Sequence, residues 1–263
     1  MEYMDVLWGV YETVKPVVLT INSRYALFPV LDVAKAIAVA SVFRRSAHSS
    51  QQSWAQQLVA ILLCCLGGTT LTGILLGQPP SWVIGANTAP TYVLGYLLVN
   101  YSPGDVVWRL ASIPLLFECL MFLDGISWGT AITSWGVDKA VGAMHPQVAS
   151  STPAALLAGV LSGTGGGILN EAFSLSHKEW VFSTPPSLAS PSFGIKVALL
   201  ASPLYYVLHN PHGIGGLDLL HKDDAKMIVI GLVVVAALSK QWVWGQVEED
   251  EVQPVEGGKK KAE

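Results

Sequence analysis

The chain has 263 residues, 51% of them hydrophobic and 13% charged, with a mean hydropathy of +0.47. Soluble domains carry about 25% charged residues, so this composition points to an integral membrane protein. A net charge of -4 excludes the basic footprint of a nucleic-acid partner.

The first residues, MEYMD, are acidic. A cleavable secretory signal begins with a basic segment, so the first membrane span is expected to act as its own targeting signal. Residues 5 to 22 are fairly apolar and read either as an interfacial helix or as an extension of the first span. A crossing helix needs about 20 mostly apolar residues. Seven spans are predicted, at about 27–43, 54–76, 89–101, 106–129 or further, 153–175, 193–208 and 227–244. They make residues 1–245 one all-α transmembrane domain. The tail from Gln246, QVEEDEVQPVEGGKKKAE, is charged and predicted to be disordered.

Seven spans place the termini on opposite sides. With the C-terminus cytosolic, that side holds Arg44, Arg45, Arg109, Lys178, Lys240 and Lys259 to Lys261. The luminal side holds Lys15, Arg24, Lys139, Lys222 and Lys226. Eight bases against five favour this orientation under the positive-inside rule.

A shift of 98 residues lays the second span on the fifth, SWAQQLVAILLCCLGGTTL on STPAALLAGVLSGTGGGIL. Ser53 meets Ser151, Gly67 and Gly68 meet Gly165 and Gly166, and Leu71 meets Leu169. An odd number of crossings separates the copies, which predicts an inverted repeat of spans 1–3 and 4–6, with the seventh left over. Such repeats with interrupted helices are typical of transport proteins. Irregular backbone is tolerated in a bilayer only against protein or a water-filled cavity. Small residues also let membrane helices pack closely. Glycines at matching depth in two spans favour a pore or hinge role for Gly67, Gly68, Gly165, Gly166 and Gly167. Beside them, Thr69, Thr70, Thr72, Ser162, Thr164 and Asn170 offer hydroxyls and an amide. Such groups replace part of an ion's hydration shell or bond their own helix backbone.

Charges inside spans are costly and point to function. They are Asp32 and Lys35 in the first span, Glu118 and Asp124 in the fourth, Glu171 ending the fifth and Lys196 opening the sixth. Asp32 and Lys35 lie three apart on one helix face, spaced to pair, and Lys196 is also placed to snorkel. Cys64, Cys65 and Cys119 all sit in apolar runs, have neither metal nor disulfide spacing, and read as buried thiols. The histidines have no metal spacing. SGTGGG is followed by no Gly-Lys-Ser/Thr and is not a phosphate loop. No enzyme, metal or cofactor signature is present.

Several stretches in register resemble the trimeric intracellular cation (TRIC) channels. They are SRYALFPVLD at 23–32, SW at 53–54, LLGQP at 75–79 and YSPGDVVWR at 101–109, with Asp105 and Arg109. The glycine-rich fifth span and Lys196 at the start of the sixth also match. The resemblance implies a homotrimer of seven-span subunits in the endoplasmic or sarcoplasmic reticulum. Each subunit would hold a pore for potassium and other monovalent cations, shaped by the glycines of spans two and five. Its role would be counter-ion flow during calcium release. Family members hold a phosphoinositide headgroup with a Lys and an Arg in the fourth span. Here Leu123 and Ser127 stand at those positions and only the acid, Asp124, is kept, which leaves the lipid site open. The ending KKAE resembles a dilysine signal that returns membrane proteins to the endoplasmic reticulum. Two rival readings remain at this point, a small-solute carrier on the same repeat and a structural membrane protein.

Overall fold

The computed structural model describes residues 2–24, 29–46, 51–209 and 220–251. Among them the long elements are all helices. The first, α1, is Glu2–Arg24. Pro29 is extended, with ψ 111°, and caps a new helix, α2, Val30–Arg45. The N-terminal apolar stretch is therefore a separate helix and not an extension of the first span. There follow α3, Trp54–Leu76, α4, Thr88–Tyr101, and α5, Pro114–Val141. The last three are α6, Thr152–Phe173, α7, Phe193–His209, and α8, Lys222–Glu251. By length and apolar composition, α3, α5 and α6 are each sufficient to cross a bilayer, and α7 is apolar but shorter. At 16 and 14 residues, α2 and α4 are shorter still.

Two expectations shift. The fourth span does not run from 106 to 129. Val106–Ala111 is a separate short helix, Ile113 is extended, and Pro114 opens α5 at its first position. A proline has no N–H to donate and fits a helix start better than its interior. The helix then continues past residue 129 through a π-helical stretch, Ala131–Asp138. At the other end α8 carries on to Glu251, past Gln246 where a tail is expected. Residues 252–263, with Lys259 to Lys261, lie outside the described residues, as do Tyr25 to Phe28 of the SRYALFPVLD stretch.

α3 and α6 are continuous helices through their glycines, so the break expected there is not seen. The glycines sit where the two backbones touch. A Cβ on Gly68 would run into the carbonyl oxygen of Ser162, and one on Gly166 into that of Cys64. A Cβ on Gly67 would stand 2.6 Å from Leu169 Cδ1 and 3.2 Å from Gly166 Cα. A Cβ on Gly165 would stand 2.9 Å from Leu71 Cδ1 and 2.7 Å from Gly68 Cα. Each contact maps onto its mate by the same shift of 98 residues, as a local twofold axis between the helices makes them do.

The helix ends follow the same relation. Ser53 Oγ accepts the Gln56 N–H and Ser151 Oγ accepts the Ala154 N–H, both at 3.3 Å. Each cap satisfies a donor with no partner inside its helix. Both helices close on a left-handed residue, Gly77 at φ 62° and Ser174 at φ 51°. Gln52 Nε2 donates to the carbonyls of Leu175 and His177, tying the start of α3 to the end of α6.

Two apolar cores flank the crossing. One joins α2, α3 and α4 through Ala36, Ile61, Leu66, Tyr96 and Val99, and takes in Leu175 from beyond α6. The other joins α5, α6, α7 and α8 through Ile132, Ala158, Ala198, Tyr205 and Val229, and takes in Leu76 from the end of α3. Each crossing helix thus reaches into the opposite half. Outside, large apolar side chains face away from the protein, Ile74 at 71% exposure and Leu200 at 70% among them. In water that exterior would be a liability; in lipid it is solvated.

The crossing makes a sharp prediction. Gly166→Ala places a methyl against a backbone oxygen that cannot yield, and overpacking of this kind costs about 1–3 kcal/mol. Nothing lies within 4 Å of a Cβ at Gly167, so Gly167→Ala should be neutral or gain up to about 1 kcal/mol of helix propensity. Thermal unfolding in detergent should separate the two neighbours, and an equal loss in both would refute the assignment.

Candidate functional site

Two cavities follow the same three helices. The first, about 270 Å³, is lined by Asp32 and Lys35 of α2, Cys65 and Thr69 of α3, and Ser127, Thr130 and Trp135 of α5, with Tyr92 of α4. The second, about 260 Å³, is lined by Ala38, Val42 and Ser46 on and just past α2, Cys64 of α3, and Asp124 of α5, with Asn170 and Ser176. Along α2 the lining residues Leu31, Lys35, Ala38 and Val42 keep the spacing of a single helix face. On α3 the consecutive Cys65 and Cys64 divide between the cavities, and on α5 Ser127 and Asp124 do so. A helix rises about 1.5 Å per residue, so these lining residues lie only about 1.5 to 4.5 Å apart along their helix axes. The first reaches Ser81 and Thr88 at one end of the bundle, and the second reaches Ser46 and Ser176 at the other.

The polar groups between are held in place. Tyr92 Oη donates to Asp32 Oδ1 at 3.1 Å. That bond replaces the expected pairing of Asp32 with Lys35, and no ion pair joins the two. Thr69 and Thr70 donate to the Leu66 carbonyl at 3.0 and 2.8 Å. Thr70 also accepts Trp82 Nε1 at 2.9 Å. Thr72 donates across the crossing to the Ala158 carbonyl at 3.3 Å, and Thr164 donates to Val160 at 2.7 Å. Ser162 is buried with no hydrogen-bond partner.

The sequence-derived residues therefore divide. Asp32, Lys35, Thr69 and Ser127 meet in the first cavity and Asp124 lies in the second. Gly67, Gly68, Gly165 and Gly166 do not line open space, because they close the crossing. Gly167, Thr164, Glu171 and Lys196 line an outward groove of about 810 Å³, where Glu171 accepts the Ser187 N–H at 2.9 Å. Glu118 is exposed on α5. Leu123 packs beside Leu31, Ile126 and Ile230. Of the cysteines, Cys65 is buried as expected, but Cys64 is half-buried and Cys119 is exposed.

Sequence reasoning passed over three polar clusters. At the end nearer the first cavity, Asp138 Oδ2 pairs with Lys226 at 2.8 Å and Lys222 at 3.1 Å, and its Oδ1 accepts Tyr205 Oη at 2.8 Å. Nearby, α1 is fastened to α8 by Tyr11 and Lys15, which both donate to Asp224. These contacts, that of Lys15 foremost, hold the Asp224 carboxyl below its usual range. At the opposite end Arg44 pairs with Asp105 at 3.0 Å, donates to the Val99 carbonyl at 2.6 Å, and lies 4.8 Å from the Trp108 ring centre. Asp105 and its neighbour Gly104 are both left-handed, which turns the α4–α5 connection so that the carboxylate faces Arg44. The partners of Asp138 lie 67 residues away at Tyr205 and farther still at Lys222 and Lys226, so no local pattern signalled this cluster.

A helical bundle with an apolar exterior, and cavities that bring a few polar and charged side chains into it from both ends, defines a multi-pass membrane protein. Residues 45–242 match the family model of the TRIC channels. The chain belongs to that family, whose members are channels and not enzymes. It is 24% identical over 200 residues to trimeric intracellular cation channel type B-B of Xenopus laevis, and 25% identical to type B-A of the same organism. Each match covers 71% of this chain but 65% of the relative, so the chain spans under two thirds of those proteins. Among solved structures, a trimeric intracellular cation channel from C. elegans without calcium superposes with a TM-score of 0.67 at 22% identity, covering 88% of this chain and 97% of that one. A TRIC counter-ion channel studied for its activity in calcium release superposes with a TM-score of 0.68 at 19% identity, covering 83% and 94%.

Asp138 should matter more than its partners. Asp138→Asn leaves Lys226, 15% exposed, without its counter-charge, and loss of hydrogen bonds to a charged group costs about 1.5–3 kcal/mol. Lys222, 44% exposed, should cost under about 1 kcal/mol when changed to Ala, as surface pairs do. Melting temperatures of the two variants in detergent test the order, and a reversed order would contradict it.

Proposed function

We propose that the chain is a monovalent cation channel, permeable to potassium, with one passage through each subunit of a homotrimer. Its seat would be the endoplasmic reticulum membrane, with the N-terminus luminal and the C-terminus cytosolic, and its role counter-ion flow during calcium release. The architecture would be seven spans, α2 to α8, with α2–α4 and α5–α7 as inverted repeats and α8 added. The reciprocal contacts at Gly67, Gly68, Gly165 and Gly166 support the repeat.

The observation that carries the reading is the alignment of two cavities along one face of α2, with α3 and α5 lining both. This moves the passage away from the glycines. Between α3 and α6 a methyl group at Gly68, Gly165 or Gly166 would run into backbone, which leaves no room there for an ion. The passage instead runs beside α3, on the side of α2 and α5. Asp32 and Asp124 supply negative potential that concentrates cations in a low-dielectric cleft, and the hydroxyls of Thr69, Ser127 and Thr130 offer oxygens to a partly dehydrated ion. No phosphoinositide site is assigned, because Leu123 lies in an apolar cluster and Ser127 brings no charge.

Reconstitution of the purified protein in planar bilayers under a potassium gradient tests this. Single-channel currents reversing near the potassium potential are expected, and Asp32→Asn and Asp124→Asn should each lower the conductance several-fold. A saturable flux without unitary currents would instead identify a carrier, and the absence of any flux a structural protein.

A further inference from the structure

We infer that Lys35 is the residue that limits cation conductance, acting as a tethered positive charge at the neck between the two cavities. The inference rests on the proposed passage and adds a residue that works against it. Lys35 lines the first cavity, one turn of α2 before Ala38 and Val39, which line the second. Asp32 lines the first cavity beside Lys35, and Asp124 lines the second just beyond it. The neck thus holds two acids and one base. Among the described residues the ion pairs join Lys15, Arg44, Lys222 and Lys226 to acids, and Lys35 enters none of them. Asp32 is instead bonded to Tyr92.

An ammonium on a four-carbon stem is a compact monovalent cation with three donors. It competes for the same carboxylate and hydroxyl oxygens that a permeant cation needs. Being tethered, it cannot be carried away by the flux. A burial cost falls on any charge in a membrane interior, and the nearby carboxylates offset that cost for Lys35 without an ion pair to it. A snorkelling role does not account for the position, since the side chain faces an internal cavity and not the bundle exterior. An apolar residue would serve the packing of α2 equally well, as Ala34, Ala36, Ala38 and Ala40 do on its buried positions.

The test is a gain of function. In planar bilayers, Lys35→Met and Lys35→Gln should each raise potassium conductance several-fold and increase the preference for potassium over chloride. Lys35→Arg should remain near the parent value. Size measurement in detergent checks assembly of every variant. Conductance unchanged or lowered in both neutral variants would overturn the inference, as would an equal rise in Lys35→Arg. Failure of both neutral variants to assemble would also overturn it, because a residue that only limits flux is not needed for the fold. A parent protein that passes no current refutes the channel reading itself, whereas a conducting parent with indifferent variants refutes only the role of Lys35.

Discussion

Two helices that touch backbone to backbone set the rest of this structure. In a bilayer the hydrophobic effect gives no drive for helix association, so close contact between small residues supplies it. Gly68 against Ser162 and Gly166 against Cys64 bring the backbones of α3 and α6 into direct contact. The contact is its own mate under a shift of 98 residues, so neither half can alter it alone. From it follow the capped ends at Ser53 and Ser151 and the exchange of Leu76 and Leu175 between the two cores.

A closed crossing forces open space elsewhere. Where α3 leaves α6 it meets α2 and α5, and those helices do not fill the volume between them. The π-helical stretch, Ala131–Asp138, adds to the misfit. One extra residue per turn widens a helix and breaks the regular spacing of its side chains, and such stretches recur at functional sites. Ala131 and Trp135, inside it, line the first cavity, and Asp138 at its end joins α5 to α7 and α8. Packing rigidity at the crossing and looseness beside it are two results of the same geometry.

Much of this was legible in the sequence, and the failures have physical causes. Ser53 and Pro153 mark the starts of α3 and α6 to within a residue, because caps and N-terminal prolines are local signals. The fourth span slipped, because Val106–Ala111 is as apolar as the span itself and only Pro114 distinguishes them. Both readings of the glycines fitted one dimension of sequence, and the choice between a hinge and a contact depends on what lies opposite. The acids Asp32 and Asp124 were visible as costly intramembrane charges, yet pairing Asp32 with Lys35 by spacing alone missed Tyr92, sixty residues away. Long-range partners of this kind, and the lysines around Asp138, are set by tertiary packing and leave no periodicity.

The central claim is a water-filled passage along α2, α3 and α5, and the adjacent Cys64 and Cys65 report on it directly. With Cys119 changed to Ser, each of the two can be left as the sole thiol by changing the other to Ser. A membrane-impermeant cationic thiol reagent is then applied to one side of a bilayer and potassium current is followed. Cys65 should be modified, with loss of current, only from the side that carries Ser81 and Thr88, and Cys64 only from the side that carries Ser46 and Ser176. Modification of both from one side, or of neither from either side, would contradict a passage that narrows between them.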